Sequence, residues 1–155
     1  MKTPPEGLST VTPYLIVDGA FAALEFYKRV FNAVERVRMG SPEGKVMHAE
    51  ISVGTSVVML ADEFPQMNAL GPMSVGGSPA LMLIYVEDVD DAFQRAVEAG
   101  AIVERPVQNQ FYGDRSGTLR DPFGHRWTIA TRIEEVSPEE MERRMAAMKP
   151  GAAQA

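Results

Sequence analysis

The sequence predicts an α+β protein made of two tandem βαβββ modules and a C-terminal helix. Three observations predict it. A strand, a helix and three strands, read over residues 12–62, return in the same order over residues 81–132. Each module carries one stretch with apolar residues at helical spacing: Ala20, Ala23, Leu24 and Tyr27 in the first, Val89, Ala92, Phe93 and Ala96 in the second. Landmarks outside the helices also repeat. Val17-Asp18 answers Val86-Glu87, and His48, Glu50, Gly54 and Val58 answer Thr118, Arg120, Gly124 and Thr128. A doubled module has a seam, and facing strands at a seam make a natural pocket.

The elements follow in order. Residues 1–8 hold two prolines and a glycine before any periodicity and read as a flexible arm. The first module spans 9–62. Thr10 to Val17 is rich in β-branched and aromatic residues and reads as a strand, with Pro13 marking an edge or strand start. Asp18-Gly19 is a turn in which Asp18 can cap the helix Ala20 to Phe31. Ala33 to Met39 is a strand, and Gly40 to Gly44 a hairpin loop. From Lys45 to Val53 the pattern alternates: Met47, Ala49, Ile51 and Val53 point one way, His48, Glu50 and Ser52 the other. Ser56 to Ala61 completes the module. Residues 63–79, rich in proline and glycine, read as a linker that packs in part through Phe64, Met67, Leu70 and Met73.

The second module spans 80–132. Ala80 to Val86 is an apolar strand, and Asp88 to Ala99 a helix with Asp88 as its N-cap and Gly100 as its stop. Ile102 to Val107 is a strand, and Gln108 to Ser116 a polar loop containing Phe111-Tyr112-Gly113-Asp114. Gly117 to Arg120 and Arg126 to Thr131 are strands around the turn Asp121-Pro122-Phe123-Gly124. Residues 133–155 form a C-terminal helix and tail. Ser137-Pro138-Glu139-Glu140 is a helix start, Met141, Met145 and Met148 form an apolar stripe, and Lys149 to Ala155 reads as a frayed tail.

Composition narrows the function classes. The 155 residues carry a formal net charge of -6 with no basic block, which disfavours nucleic acid as a partner. No apolar run reaches the roughly 20 residues a membrane helix needs, and Met1 to Ser9 lacks an apolar signal core. The expected location is cytoplasmic. With no cysteine, disulfides, thiolate metal sites and cysteine nucleophiles are excluded. The two histidines, His48 and His125, are few for a metalloenzyme.

The doubled βαβββ pattern, with Asp121-Pro122-Phe123-Gly124-His125 before the last strand, resembles the vicinal oxygen chelate superfamily. That superfamily includes glyoxalases, extradiol dioxygenases and bleomycin- and fosfomycin-resistance proteins. The likeness is strongest to its glyoxalase/bleomycin-resistance-like branch. The resemblance implies that each module curls a four-stranded mixed sheet and that modules meet in a cup, within one chain or across a homodimer. It also implies four cup-facing positions where the metalloenzymes place His or Glu. Carried over, these fall at Thr12, Val58, Leu81 and Thr128, with Val57 or Met59 one residue from Val58. None offers an imidazole or carboxylate, so no metal and no cofactor is expected.

The polar residues of the inner strands then carry the functional reading. If Met47, Ala49 and Ile51 cover the helix, His48 and Glu50 face the cup as polar anchors, as a general base, or as a relocated metal site; a structural or ligand-orienting role is preferred. Arg120, taken as the counterpart of Glu50, needs either a ligand anion or a partner among Glu50, Asp114 and Asp121. Phe111 and Tyr112 can stack on a planar ligand, and Tyr14 and Tyr85 fall on the cup-facing register. Trp127 alternates with Ile129 toward the helix and reads as core. His125 reads as a solvated or capping turn residue. The expected ligand-binding set is therefore Tyr14, His48, Glu50, Tyr85, Phe111, Tyr112 and Arg120, with His48 and Glu50 as the catalytic candidates. Two functions compete: a metal-independent protein that binds a small molecule, such as an antibiotic or aromatic metabolite, and a lyase, isomerase or transferase acting on a small oxygenated metabolite. Both imply a homodimer, with the methionine stripe as a contact.

Overall fold

The computed structural model describes residues 1–148, so the tail Lys149 to Ala155 lies outside the described residues. Both modules form as expected. The first contains β1 (Tyr14–Val17), α1 (Ala20–Phe31), β2 (Val34–Gly40), β3 (Val46–Val53) and β4 (Ser56–Asp62). The second contains β5 (Leu81–Tyr85), α3 (Val89–Glu98), β6 (Ile102–Asn109), β7 (Asp114–Arg120) and β8 (Arg126–Arg132). Between them lie a 3-10 turn at Pro65–Met67 and the short helix α2 (Pro72–Val75); α4 (Pro138–Ala147) follows the second module. The sheets have orders β1-β4-β3-β2 and β5-β8-β7-β6, each with one parallel pair, β1 on β4 and β5 on β8.

One apolar core joins the modules. Ala49, Ile51 and Leu60 from the first sheet, Leu119, Trp127 and Ile129 from the second, and the inner faces of α1 and α3 are all buried in it. The two helices pack on each other, and the ring of Trp127 lies 4.8 Å from that of Phe31 in α1. Each sheet therefore has one face on the shared core and one open face. This arrangement follows from the period-two pattern: His48, Glu50 and Ser52 stand opposite buried Ala49, Ile51 and Val53. Met47 departs from the pattern. It sits at the strand end, exposed, and Val46 is buried in its place, beside a register shift between Met39 and Gly40.

Buried carboxylates tie the seam. Asp121 accepts from the Tyr27 hydroxyl at 2.5 Å, from Trp127 Nε1 at 2.9 Å, and from the backbone N–H groups of Phe123 and His125. Burial first, then the Asp121 charge, pushes the Tyr27 phenol well above its usual pKa, so it stays a donor. His125 is buried, not solvated: its Nε2 lies 2.9 Å from the Ile16 carbonyl oxygen, which can only accept, so the ring donates across the seam. From α3, Arg95 Nη2 donates to the Val30 carbonyl near the end of α1.

Local signals held unevenly. Asp88 caps α3 by accepting from Asp91 N–H, but Asp18 does not cap α1. The cap position is Gly19, at φ 99, and Asp62 Oδ1 takes the N–H groups of Gly19 and Ala20 from across the sheet. In the linker, Met67, Leu70 and Met73 are exposed, whereas Gly71 and Pro72 are buried. A Cβ on Gly71 would stand 2.8 Å from the Ile16 carbonyl oxygen, so this glycine is what lets the linker dock on β1.

Glu35 on β2 gives a pH-dependent prediction. Hydrogen bonds from Arg38, then from Lys28, lower its pKa from 4.5 to about 2. A lowered folded-state pKa means that this contribution is complete above the ordinary value and is lost as pH falls toward about 2. Acid denaturation of Glu35→Gln should accordingly show a shallower loss of stability over that window; unchanged curves would remove Glu35 from the acid response.

Candidate functional site

The open face of the first sheet brings together Tyr14, His48 and Glu50. Tyr14 is on the edge strand β1 and the other two are on β3, with Met59 of β4 paired to both Tyr14 and Glu50. The Tyr14 hydroxyl lies 2.8 Å from His48 Nδ1, and His48 Nε2 lies 3.2 Å from Glu50 Oε1. A carboxylate only accepts, so Nε2 carries a proton. In the neutral ring Nδ1 then accepts from the tyrosine. One imidazole thus bridges a phenol and a carboxylate. Partial burial, and secondarily the Glu50 charge, raise the Tyr14 pKa, which keeps the phenol a donor. His48 and Glu50 are each half-buried and Tyr14 is exposed. Around them the face is apolar, with Val37 and Met39 of β2 paired to Glu50 and His48.

The second sheet's open face differs. Tyr85 on β5 donates to Asp114 Oδ2 at 2.8 Å, and this bond is the main cause of its raised pKa. Tyr85 and Tyr112 line a cavity of about 370 Å³ together with Leu81, Leu83, Asp114 and Arg132. Its far wall is the segment leading into α4 and the start of that helix: Glu135, Val136 and Met141. Arg144 of α4 holds this wall in place, donating to both Glu134 carboxylate oxygens and to the Phe111 carbonyl, while Arg132 donates to the Tyr112 carbonyl. Phe111 packs edge-on against Tyr112, with ring centroids 5.2 Å apart, and does not line the cavity.

Arg120 stands apart. It is exposed and none of Glu50, Asp114 or Asp121 pairs with it: Asp114 is held by Tyr85 and Arg132, Asp121 by the seam, and Glu50 by His48. Nor is it the counterpart of Glu50. Tyr14 pairs Met59 as Leu83 pairs Thr128, and Met59 pairs Glu50 as Thr128 pairs Thr118. Thr118 is therefore Glu50's equivalent, and Arg120 is that of Ser52. The cause is the turn: counted between equivalent residues, the path from Thr118 to Thr128 is one residue longer than that from Glu50 to Met59, so a match made at the turn slips along the strands.

The same register corrects one of the four metal-ligand positions. Val58 is buried on the core side of β4, paired with Ile51, and Met59 takes the place equivalent to Thr128. Thr12 precedes β1 and its hydroxyl donates to the Ser9 carbonyl, while Thr128 shares a hydrogen bond with Thr118. A thioether, a leucine side chain and two engaged hydroxyls do not fit the donor set of a divalent site. Among the described residues no group of three or more His, Cys, Asp or Glu converges as a metal site, His48 and Glu50 included.

Comparison with known proteins agrees with this architecture. The family model of the Glyoxalase/Bleomycin resistance protein/Dioxygenase superfamily matches residues 7–129. An uncharacterized protein of Mycobacterium bovis is 40% identical over 144 residues, covering 91% of this chain and 95% of its own length. The crystal structure of TioX from Micromonospora sp. ML1 superposes with a TM-score of 0.61 at 25% identity, covering 83% of this chain and 100% of that one. The fosfomycin resistance protein FosX from Mesorhizobium loti shares the fold, with a TM-score of 0.58 at 19% identity over 82% of this chain and 92% of its own.

Proposed function

Because this chain belongs to the glyoxalase/bleomycin resistance protein/dioxygenase superfamily, we propose that it is a metal-independent small-molecule binding protein whose cup is completed by a second copy of itself. The observation that carries this reading is the Tyr14–His48–Glu50 chain, a fixed polar anchor on an open sheet face flanked by Val37, Met39 and Met59. Pockets that orient small ligands pair mostly apolar walls with a few such groups. The ligand is an antibiotic or an aromatic metabolite with at least one group that hydrogen-bonds the anchor, and the protein acts in the cytoplasm.

A second copy is the occupant that fits the open faces. The first sheet's open face presents Glu50, and the second sheet's presents exposed Leu81 and Leu83 on β5 and, two strands away on β7, Arg120, a cation without a carboxylate partner among the described residues. Packed against one another across two chains, these faces complement each other in charge and bury apolar surface.

Titration with bleomycin-type and polycyclic antibiotics tests the reading. Trp127 is buried in the core against Tyr27 and Phe31, so its emission reports poorly on either open face, and thermal shift is the better readout. A binding ligand should raise the Tm of the wild type and lose at least about tenfold in affinity on Glu50→Gln, since a charge-assisted hydrogen bond contributes about 1.5–3 kcal/mol. Ligands that bind Glu50→Gln as well as wild type would detach the anchor from the function.

One observation favours a second reading. An imidazole held between a phenol and a carboxylate can accept and pass a proton, which suits a lyase, isomerase or transferase acting on a small oxygenated metabolite. In that case His48 is the base and Glu50 orients it. Elemental analysis and thermal shift with Ni, Zn, Mn and Fe(II) separate metal-assisted from metal-free forms of this chemistry.

A further inference from the structure

Asp114 presents an unusual combination. It is nine-tenths or more buried, it lines the cavity beneath α4, and its Oδ1 has no hydrogen-bond donor among the described residues. Its other oxygen is taken by Tyr85. The Arg132 Nε lies 3.2 Å from Oδ1 without hydrogen-bond alignment, while its Nη1 donates to the Tyr112 carbonyl, so it screens the oxygen's charge and a ligand donor has to displace its Nε from there. A buried carboxylate oxygen left without a donor is costly unless something else supplies one.

The cavity's charge says what kind of donor fits. Asp114 and Glu135 are two carboxylates against the single guanidinium of Arg132. The remaining walls are the aliphatic Leu81, Leu83 and Met141 and the rings of Tyr85 and Tyr112. At about 370 Å³ the space suits a compact ring system, not a large antibiotic.

We propose that this cavity, between the second sheet and the start of α4, is a binding site for a small aromatic or alicyclic amine whose ammonium group donates to Asp114 Oδ1. The proposal rests on the small-molecule reading above but needs only one chain and none of Tyr14, His48 or Glu50. The ammonium takes the place beside Oδ1 that Arg132 covers, its ring packs between Leu83 and Tyr112, and Met141 closes over it. The Arg144–Glu134 and Arg144–Phe111 bonds hold that wall at the right distance.

Calorimetric titration with 1-naphthylmethylammonium, and with 1-naphthylacetate as the anionic counterpart, tests it. The expected results are binding of the amine by wild type, at least tenfold weaker binding of the acetate, and at least a tenfold loss of amine affinity in Asp114→Asn. That variant keeps an acceptor for Tyr85. Leu83→Trp, at a position already 55% exposed, fills the cavity without burdening the core and should abolish amine binding. Glu25→Ala, exposed on α1 and remote from both open sheet faces, should leave it unchanged. No amine binding to wild type at several millimolar, equal affinity for the acetate, or full affinity in folded Asp114→Asn each overturns the proposal. Loss of amine binding in His48→Ala with retention in Asp114→Asn also overturns it, while placing the ligand on the first sheet and leaving the proposed function intact.

Discussion

Replacing Asp121 with alanine should lower the unfolding free energy by about 3–5 kcal/mol, measured by urea denaturation. Asp121 is 2% exposed and gathers four donors: the Tyr27 hydroxyl from α1, the Trp127 indole from β8, and two backbone N–H groups of its own turn. Alanine leaves a buried phenol, an indole N–H and two amides without their acceptor, and each such orphan costs about 1–3 kcal/mol before any relaxation. The penalty falls on the seam, because Tyr27 and Trp127 come from different modules and meet in the shared core. Asp121→Asn keeps an acceptor oxygen and should cost clearly less. A loss below about 1 kcal/mol for the alanine variant would mean that the modules are held by packing alone.

Asp62→Ala should cost about 3 kcal/mol by the same measurement. Its Oδ1 receives the first N–H groups of α1, from Gly19 and Ala20, and its Oδ2 receives the Val46 N–H at the start of β3. One carboxylate at the end of β4 thus fixes a helix start and a strand start that are far apart in sequence. A cap alone accounts for roughly 0.5–2 kcal/mol, and the buried amide of Val46 supplies the rest. Asp18→Ala, by contrast, should be close to neutral, since that exposed side chain makes no cap bond. Equal effects for the two aspartates would return the cap to Asp18.

These two residues mark the limit of what the sequence made legible. Periodicity found all eight strands and the helices α1 and α3, because a half-buried element writes its burial into its spacing, but not their ends: β1 starts at Tyr14 rather than Thr10, and Gln108, Asn109 and Asp114 to Ser116, read as loop, extend β6 and β7. The core role of Trp127 and the shared face of His48 and Glu50 could be read in the same way, from alternation against Ile129 and Ile51. Side-chain bonds that span the fold left no such trace. A cap from Asp62 looks like any acid after a strand, and Asp18 stands where a local cap belongs. His125, five residues into a turn motif, carries no sign that it reaches the carbonyl of Ile16.

The candidate site shows the same division. The register of Tyr14, His48 and Glu50 was readable, but not the bonds that join them, which depend on how β1 and β3 flank β4. The equating of Glu50 with Arg120 fails because repeats align well at turns and then slip when one turn is longer. The cavity beneath α4 could not be foreseen, since the methionine stripe of that helix reads equally well as a contact with another chain. In the structure Met141 lines the cavity, while Met145 remains exposed.

Sedimentation velocity at about 100 μM tests the central claim, that two open sheet faces from separate copies complete the cup. Wild type should sediment as a species of twice the 17.0 kDa chain mass. Leu81→Glu, which puts a charge on the second sheet's exposed face, and deletion of residues 137–155 should each shift it toward monomer. A wild type that sediments as a single 17.0 kDa chain, or a Leu81→Glu variant that stays dimeric, would contradict it.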